Sequence, residues 1–256
     1  MNSPSVRALL VRGMLAGLAA GVLALLVSYF LGEPKVDAAI AIEEAAAHAS
    51  GGHHHDEAAP VSRALQSTAG LGTGVLLYGV ALGGIAALVL CFALGRTGRF
   101  GARATAALVA GGAFLTVTLV PFFKYPANPP AVGDPETAGR RTALYLLMIA
   151  LSVLLSAAAV IIGRRLSPRL GTWYACVAGG AFFVVAIGLA YAFLPAIDEV
   201  PADFPATLIW QFRLSSLAIQ ATLWTGIGLV LGEFAHRLLA PAPAGDVSAT
   251  PAVAAP

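Results

Sequence analysis

A chain of 256 residues could hold one or two soluble domains, but the composition excludes a soluble fold. Apolar residues make up 58% of the sequence and charged residues only 11%, where a soluble domain carries roughly 25% charged residues. The net charge of +2 gives no basic excess for binding nucleic acid, and two cysteines within apolar stretches predict neither a disulfide framework nor a metal motif.

Long uncharged stretches separate short islands of charge, and six of them are long enough to cross a membrane. A bilayer core about 30 Å thick needs roughly 20 apolar residues in helical form. The sequence therefore predicts an all-α integral membrane protein, a polytopic bundle of about six transmembrane helices in one transmembrane domain, residues 1–240. The predicted spans are residues 13–31, 68–94, 104–123, 142–163, 172–194 and 214–232.

The first span could instead be a secretory signal peptide. Its apolar run exceeds the roughly 7–15 residues of a signal peptide, and Gly32-Glu33-Pro34 does not match a small-residue cleavage site. These features favour an uncleaved first helix.

Lysine and arginine counts predict which side of the membrane each loop faces. With the N-terminus inside, the inner segments carry nine of these residues and the outer segments six. The inner connections are short, whereas the outer ones are long, rich in proline and hold most of the carboxylates. We therefore expect both termini in the cytoplasm. The Ala/Pro-rich tail, residues 241–256, is predicted to be disordered because it cannot bury a core.

The first outer loop, residues 33–63, holds four of the five histidines in the chain. A helix from Asp37 to Ala49 would place Asp37, Glu44 and His48 on one stripe, and the last two could share a ligand. A glycine pair would then break the helix and let the next run fold back toward that stripe. That run supplies the remaining candidate ligands, His53, His54, His55 and Asp56.

Neutral imidazole together with carboxylate is the ligand set of a borderline divalent ion such as Zn²⁺, Ni²⁺ or Co²⁺. The set does not select among these metals, and a short histidine-rich tract is a compositional signal only. The alternative is a solvated loop whose histidines bind nothing.

Glycines recur every four residues along the first two predicted spans. Small residues at this spacing let helix backbones approach closely. They predict internal helix packing or, alternatively, a docking face for a partner protein. The glycines are Gly13, Gly17 and Gly21 in the first span, with Gly70, Gly74, Gly79 and Gly83 in or beside the second.

The third span leads into an outer loop with four prolines between Pro121 and Pro130, which predicts a stiff, non-helical connection at the membrane surface. The loop could form the mouth of a pathway, with Lys124, Asn128 and Asp134 as pathway residues, or serve only as a connector. The last outer loop, near Pro195, carries Asp198, Glu199 and Asp203, which we expect to be solvated.

The spans contain few polar groups, among them Thr118, Ser152 and Gln220, and no Asp, Glu, Lys or His in mid-helix. Buried ionisable groups are the usual mark of a proton relay or a charge-coupled carrier. A Walker A motif and any grouping of catalytic side chains are also absent from the sequence, so we expect neither ATP hydrolysis nor an enzyme.

Long strings in the loops and spans resemble CbtA, a family of probable cobalt transporter subunits. Together they extend over residues from about 7 to 233. The matching strings are Gly32–Ile40, Glu43-Glu44 with the histidine run, Val61–Arg63, Tyr78–Gly84, Pro121–Pro135, Glu199–Pro201, Phe204–Ala206 and Trp210–Arg213.

The resemblance implies cobalt uptake for cobalamin synthesis across the bacterial inner (plasma) membrane. It implies a divalent metal ion as cargo, cobalt first and nickel or zinc as alternatives, and no organic cofactor. It also implies a small single-helix partner, CbtB, besides the lipid bilayer, with a second copy of the chain as a further candidate partner. Because five or six spans are assigned in the family, it leaves the side of the C-terminus open. The rival interpretation is a non-transporting subunit that binds metal or stabilises a partner.

Overall fold

In the computed structural model of the protein, the described residues are 3–49, 62–98 and 100–240, and they form helices joined by turns and irregular loops. Five helical stretches in this part of the chain are long and apolar enough to cross a membrane, which confirms the predicted all-α membrane protein. The helices are α1 (Ser3–Val27), α2 (Glu33–Ala49), α3 (Arg63–Leu65), α4 (Leu71–Ala93), α5 (Ala102–Ala113), α6 (Val120–Lys124), α7 (Ala138–Phe193) and α8 (Ala206–Leu239).

Three π-helical segments join neighbouring helices into longer ones: Ser28–Gly32, Gln66–Gly70 and Phe114–Leu119. The first and the third are closely followed by Pro34 and Pro121. Proline lacks an N–H and crowds the carbonyl one turn earlier, and a wider turn just before it relieves both problems. The helix therefore continues through Pro34 instead of ending before it.

Consequently α1 and α2 form one continuous helix about 70 Å long. This length is roughly twice the thickness of a bilayer core. One face of α1 packs against α4 and α8 in the helical bundle, while α2 extends beyond the end of the bundle. We call this end of the molecule the α2 end.

The bundle is closest packed between α1 and α4, where glycines face each other. A Cβ atom built on Gly79 would lie 2.6 Å from the carbonyl oxygen of Gly17, and Gly83 meets Gly13 in the same way. Glycine is required here because any side chain would overlap the facing backbone. The predicted internal packing role is confirmed for these four glycines, whereas nothing lies within 4 Å of a Cβ built on Gly74.

Helix α8 completes the main core by packing between α1 and α5. Its own glycines sit against alanines, with a built Cβ of Gly226 2.8 Å from Ala20 and that of Gly228 2.8 Å from Ala110. The core shared by α1, α4, α5 and α8 includes Leu9, Ala16, Leu90, Ala106, Leu223, Trp224, Ile227 and Leu231.

The long helix α7 is interrupted at Gly171, whose φ of 76° and ψ of 163° are not helical. On the two sides of Gly171 the helix contacts itself: Gly163 lies against Ala175, and Gly179 lies against Ala159. Both pairs are centred close to Gly171, which is the pattern of two antiparallel helices. The arms, residues 138–170 and 172–193, are each at least about 20 residues long, enough for one crossing. One helical stretch, Pro135–Phe193, thus contains two of the predicted spans, which is why five such stretches are found where six spans were predicted.

The hairpin of α7 is held to the π-helical segment Phe114–Leu119 and to α6 through backbone carbonyls. Ser152 donates a hydrogen bond to the Thr116 carbonyl, and the Tyr191 hydroxyl donates one to the Val120 carbonyl. Met148 is completely buried in this contact. The rest of the hairpin exposes large apolar side chains such as Trp173, 75% exposed, as expected of a surface that faces lipid.

A second apolar cluster lies at the α2 end and ties α2 to the two proline-rich loops. It contains Ala39 of α2, Val132 of the first loop, Phe204 of the second loop and Ile209 of α8. We call α2 with residues 125–134 and 195–205 the cap. Because these segments pack on one another, they lie on the same side of the bundle.

Candidate metal-collecting site

The base of α2 carries an ion-pair cluster centred on Arg63, which begins α3. Its guanidinium donates hydrogen bonds to Glu33 and to Asp37, the latter at 2.8 Å and 3.0 Å. Glu33 is largely buried, with a side-chain exposure of 13%, whereas Asp37 remains 60% exposed. The carboxylate of Asp37, predicted as a metal ligand, is therefore engaged by Arg63.

The other two candidate ligands on α2 are free of that cluster. Glu44 and His48 lie one turn apart near the C-terminal end of the helix, and both are exposed. A turn of helix brings such side chains onto one face. The helix is thus compatible with the predicted pairing of Glu44 and His48 on a solvent-accessible stripe. Asp37, at the base of the same stripe, is held by Arg63.

The remaining candidates, His53, His54, His55 and Asp56, lie outside the described residues. Within the described ranges, no three His, Cys, Asp or Glu side chains come together as a metal site. Any collector that uses Glu44 and His48 therefore needs ligands from the histidine run, and the predicted set stays a prediction.

The candidate pathway residues Lys124 and Asn128 both bind other parts of the protein. The Lys124 ammonium donates a 2.8 Å hydrogen bond to the Tyr191 carbonyl in the hairpin. Asn128 accepts a 2.9 Å hydrogen bond from Arg213 of α8, which also donates to the Ala127 carbonyl at 3.3 Å. These contacts fix the first proline-rich loop to the hairpin and to α8.

Asp134, the third pathway candidate, joins the two proline-rich loops together with Glu199. Its own carboxylate caps a turn by accepting a 2.8 Å hydrogen bond from the Glu136 N–H, and its backbone N–H donates to Glu199 at 3.0 Å. Glu199 also accepts a 2.7 Å bond from the Thr137 hydroxyl and pairs with Arg141 at 3.3 Å. The expectation that Glu199 is a merely solvated charge is wrong.

These donors stabilise the carboxylate form of Glu199. The pKa of Glu199 lies below its ordinary value of 4.5, first because of the Thr137 hydroxyl, then because of the Asp134 N–H, with the Arg141 charge adding to both. A carboxylate that accepts several hydrogen bonds is held ionised. The network therefore ties the loops together at neutral pH.

The backbone of the first loop also needs a glycine beside Arg141. Gly133 has a φ of 114°, and a Cβ built there would overlap the Arg141 guanidinium. Just before it, residues 129–132 form a turn closed by a 3.3 Å bond from the Val132 N–H to the Pro129 carbonyl. Pro130 followed by Ala131 at φ 67° matches a type II turn.

Two features of the structure could not be predicted from local sequence, because each depends on how distant segments pack. The side chain of Arg63 closes onto residues about thirty positions earlier. The Oε1 atom of Gln220, in the middle of α8, is buried and accepts no hydrogen bond from any described residue. The only signal in the sequence was that Gln220 is a rare polar residue within a span.

Comparison with known proteins gives a family match. The family model described as "Probable cobalt transporter subunit (CbtA)" matches residues 6–236, almost the whole chain apart from its C-terminal tail. Neither a curated protein nor a solved structure matches.

Proposed function

Because the chain belongs to the CbtA family of probable cobalt transporter subunits, we propose that it is a membrane subunit of a divalent metal uptake system with Co²⁺ as its cargo. The family match over residues 6–236 is the observation that carries this proposal. Ni²⁺ and Zn²⁺ use the same imidazole and carboxylate ligands and are the alternative cargoes. The proposed role requires no organic cofactor and no enzymatic reaction.

The collector in this proposal consists of Glu44 and His48 on α2 together with His53, His54, His55 and Asp56. The position of α2 supports it, since both described ligands lie on a helix that extends beyond the bundle. The chain leaves α2 at Ala49 and is bound again at Arg63, beside Glu33 and Asp37. Because Arg63 is anchored at the base of α2, the intervening histidine run connects the tip of α2 with its base.

We assign Asp37 to this anchoring rather than to metal binding, because its carboxylate already pairs with Arg63. Lys124, Asn128 and Asp134 have a similar role in the proposal. Their partners are the hairpin, α8 and Glu199, so they shape the outer mouth of the molecule without supplying free ligands.

The proposed topology has six crossings in the bacterial inner membrane, with the α2 end outside and both termini in the cytoplasm. The antiparallel arms of α7 support six crossings, and the nine-to-six count of basic residues supports the orientation. A small single-helix CbtB-like protein is the proposed partner, as the word subunit in the family description suggests, and a second copy of the chain is the alternative.

The rival function is a non-transporting subunit that binds metal or stabilises its partner. The glycine contacts between α1 and α4 favour it, because they leave no room for an ion between these helices. A hydrated cation needs polar groups along its route. Transport and binding must therefore be measured separately.

Cellular metal content tests the proposal. We expect cells that express the chain with its small partner to accumulate cobalt, measured by elemental mass spectrometry, and the variant with His48, His53, His54 and His55 changed to Ala to lose this gain. His236→Ala is the matched control, because His236 is the fifth histidine and is exposed at the opposite end of the bundle. The uptake proposal would be wrong if cobalt, nickel and zinc levels stayed at background in cells that express the wild-type chain.

A further inference from the structure

A buried amide oxygen in the middle of α8 has no hydrogen-bond partner among the described residues. Among side-chain oxygen and nitrogen atoms of the described residues, two are buried without a hydrogen bond: Nη1 of Arg12 and Oε1 of Gln220. A guanidinium repels a cation, whereas an amide oxygen attracts one. Polar groups within a membrane span are costly, so an unpaired one indicates a function.

The level of Gln220 within the bundle follows from contacts on either side of it. Toward the α2 end, Ser215 donates a 3.1 Å hydrogen bond to the Leu31 carbonyl, and toward the opposite end Gly226 meets Ala20. Between these contacts lies Ser28, the residue that follows α1, only 4% exposed and within about one helical turn of the level of Gln220. Two oxygen-bearing side chains, Gln220 and Ser28, thus occur at one level of the core.

The surroundings of this level are unusual for packed transmembrane helices. Ser28 begins the π-helical segment Ser28–Gly32 of the α1–α2 helix. One turn below Gln220, the Trp224 indole N–H donates a 3.2 Å bond to Thr118, inside the π-helical segment Phe114–Leu119. Such segments frequently occur at functional sites.

We propose that the Gln220 amide oxygen, with the Ser28 hydroxyl at the same level, is an intramembrane contact for the divalent cation during passage. The inference rests on the proposed uptake function. It supplies a polar contact within the membrane, which a cation would need on its route through the helices. Neutral oxygen ligands bind a borderline metal weakly. A weak contact suits transit, because conduction requires an ion to leave each site as well as to enter it.

Uptake of Co²⁺ by proteoliposomes tests the role of the oxygen. Gln220→Met keeps the length of the side chain and removes the oxygen, and we expect a rate about tenfold lower, equivalent to about 1.4 kcal/mol in the barrier. Gln220→Glu keeps an oxygen ligand and is expected to retain most of the rate. Gln211→Met is the matched control, since Gln211 is exposed on the same helix.

A binding measurement keeps the inference testable apart from transport. With Trp173 and Trp210 changed to Phe, Trp224 is the remaining tryptophan, one turn from Gln220. Added CoCl₂ should quench Trp224 fluorescence in this protein and fail to do so when Gln220→Met is added, whether or not the outer histidines are present.

The outcomes separate the two proposals. Quenching that depends on Gln220 in a chain without uptake would support the cation contact and overturn the uptake function. Uptake by the wild-type chain that Gln220→Met leaves unchanged, or that Gln220→Glu lowers as far as Met does, would overturn the contact alone. Quenching that is unaffected by Gln220→Met would also overturn it.

Discussion

At the scale of single residues, Glu199 holds the two proline-rich loops of the cap together. Three donors converge on its carboxylate: the Thr137 hydroxyl, the Asp134 N–H and the Arg141 guanidinium. A carboxylate whose pKa is depressed in the folded protein stabilises the fold above its unfolded pKa, and this stabilisation is lost as the pH falls through the folded value.

We therefore predict that Glu199→Gln lowers the thermal stability of the purified protein at neutral pH. The difference in Tm between wild type and variant should shrink as the pH falls below the ordinary pKa of 4.5. Asp198→Asn is the control, because Asp198 is the neighbour of Glu199 in the same loop. A Tm difference that stays constant from neutral pH down to the acid limit would show that the carboxylate charge is irrelevant.

The sequence was enough to predict which side chains belong to the candidate site, but it did not reveal which residues those side chains contact. The spacing of Glu44 and His48 within an Ala-rich run was enough to place both on one helical face. Nothing local indicated that Arg63 would engage Asp37, or that Glu199 would meet Asp134, because these pairs are far apart in the chain. Charge pairing across loops depends on how the cap packs.

At the scale of elements, the contact between α1 and α4 depends on glycine. A Cβ on Gly79 would lie 2.6 Å from the Gly17 carbonyl oxygen, closer than real atoms approach. Alanine is intrinsically a better helix former than glycine by about 1 kcal/mol, so a loss of stability on substitution must come from the packing.

We predict that Gly79→Ala destabilises the protein by about 1–3 kcal/mol, the usual cost of overpacking a well-packed core. Gly74→Ala on the same helix should be neutral or slightly stabilising, because open space surrounds that position. Thermal unfolding in detergent, followed by size-exclusion chromatography, measures both variants. Equal melting temperatures for the two would refute the packing role of Gly79.

Most of the helical fold was predictable, because apolar length alone identifies membrane spans. The departures arise where proline and glycine have effects that composition does not reveal. Pro34 continues a helix because a π-helical segment precedes it, and Gly171 turns α7 back without a loop. The cap was not predicted at all, since its core of Ala39, Val132, Phe204 and Ile209 comes from four separate segments.

At the scale of the whole molecule, different structures occupy the two ends of the bundle. The cap contains the two proline-rich loops and α2, whereas the opposite end carries an ion-pair cluster in which Glu233 binds Arg103 and Arg237. The proposed direction of uptake requires the cap to face the outside.

Cysteine labelling measures this orientation. In a background with Cys91 and Cys176 changed to Ala, we predict that Ala45→Cys on α2 reacts with a membrane-impermeant maleimide in intact cells. His236→Cys, at the opposite end, should react only after the membrane is opened. The reverse pattern would place α2 in the cytoplasm and argue for export or sensing.

The most direct test of the uptake function is Co²⁺ influx into proteoliposomes that contain the purified chain and its small partner, followed by quenching of a trapped metal-sensitive dye. We predict influx above that of protein-free vesicles, and a loss of influx at low Co²⁺ concentration when His48, His53, His54 and His55 are changed to Ala. Vesicles that bind Co²⁺ at their outer surface but never admit it would refute the uptake function and leave a non-transporting, metal-binding subunit.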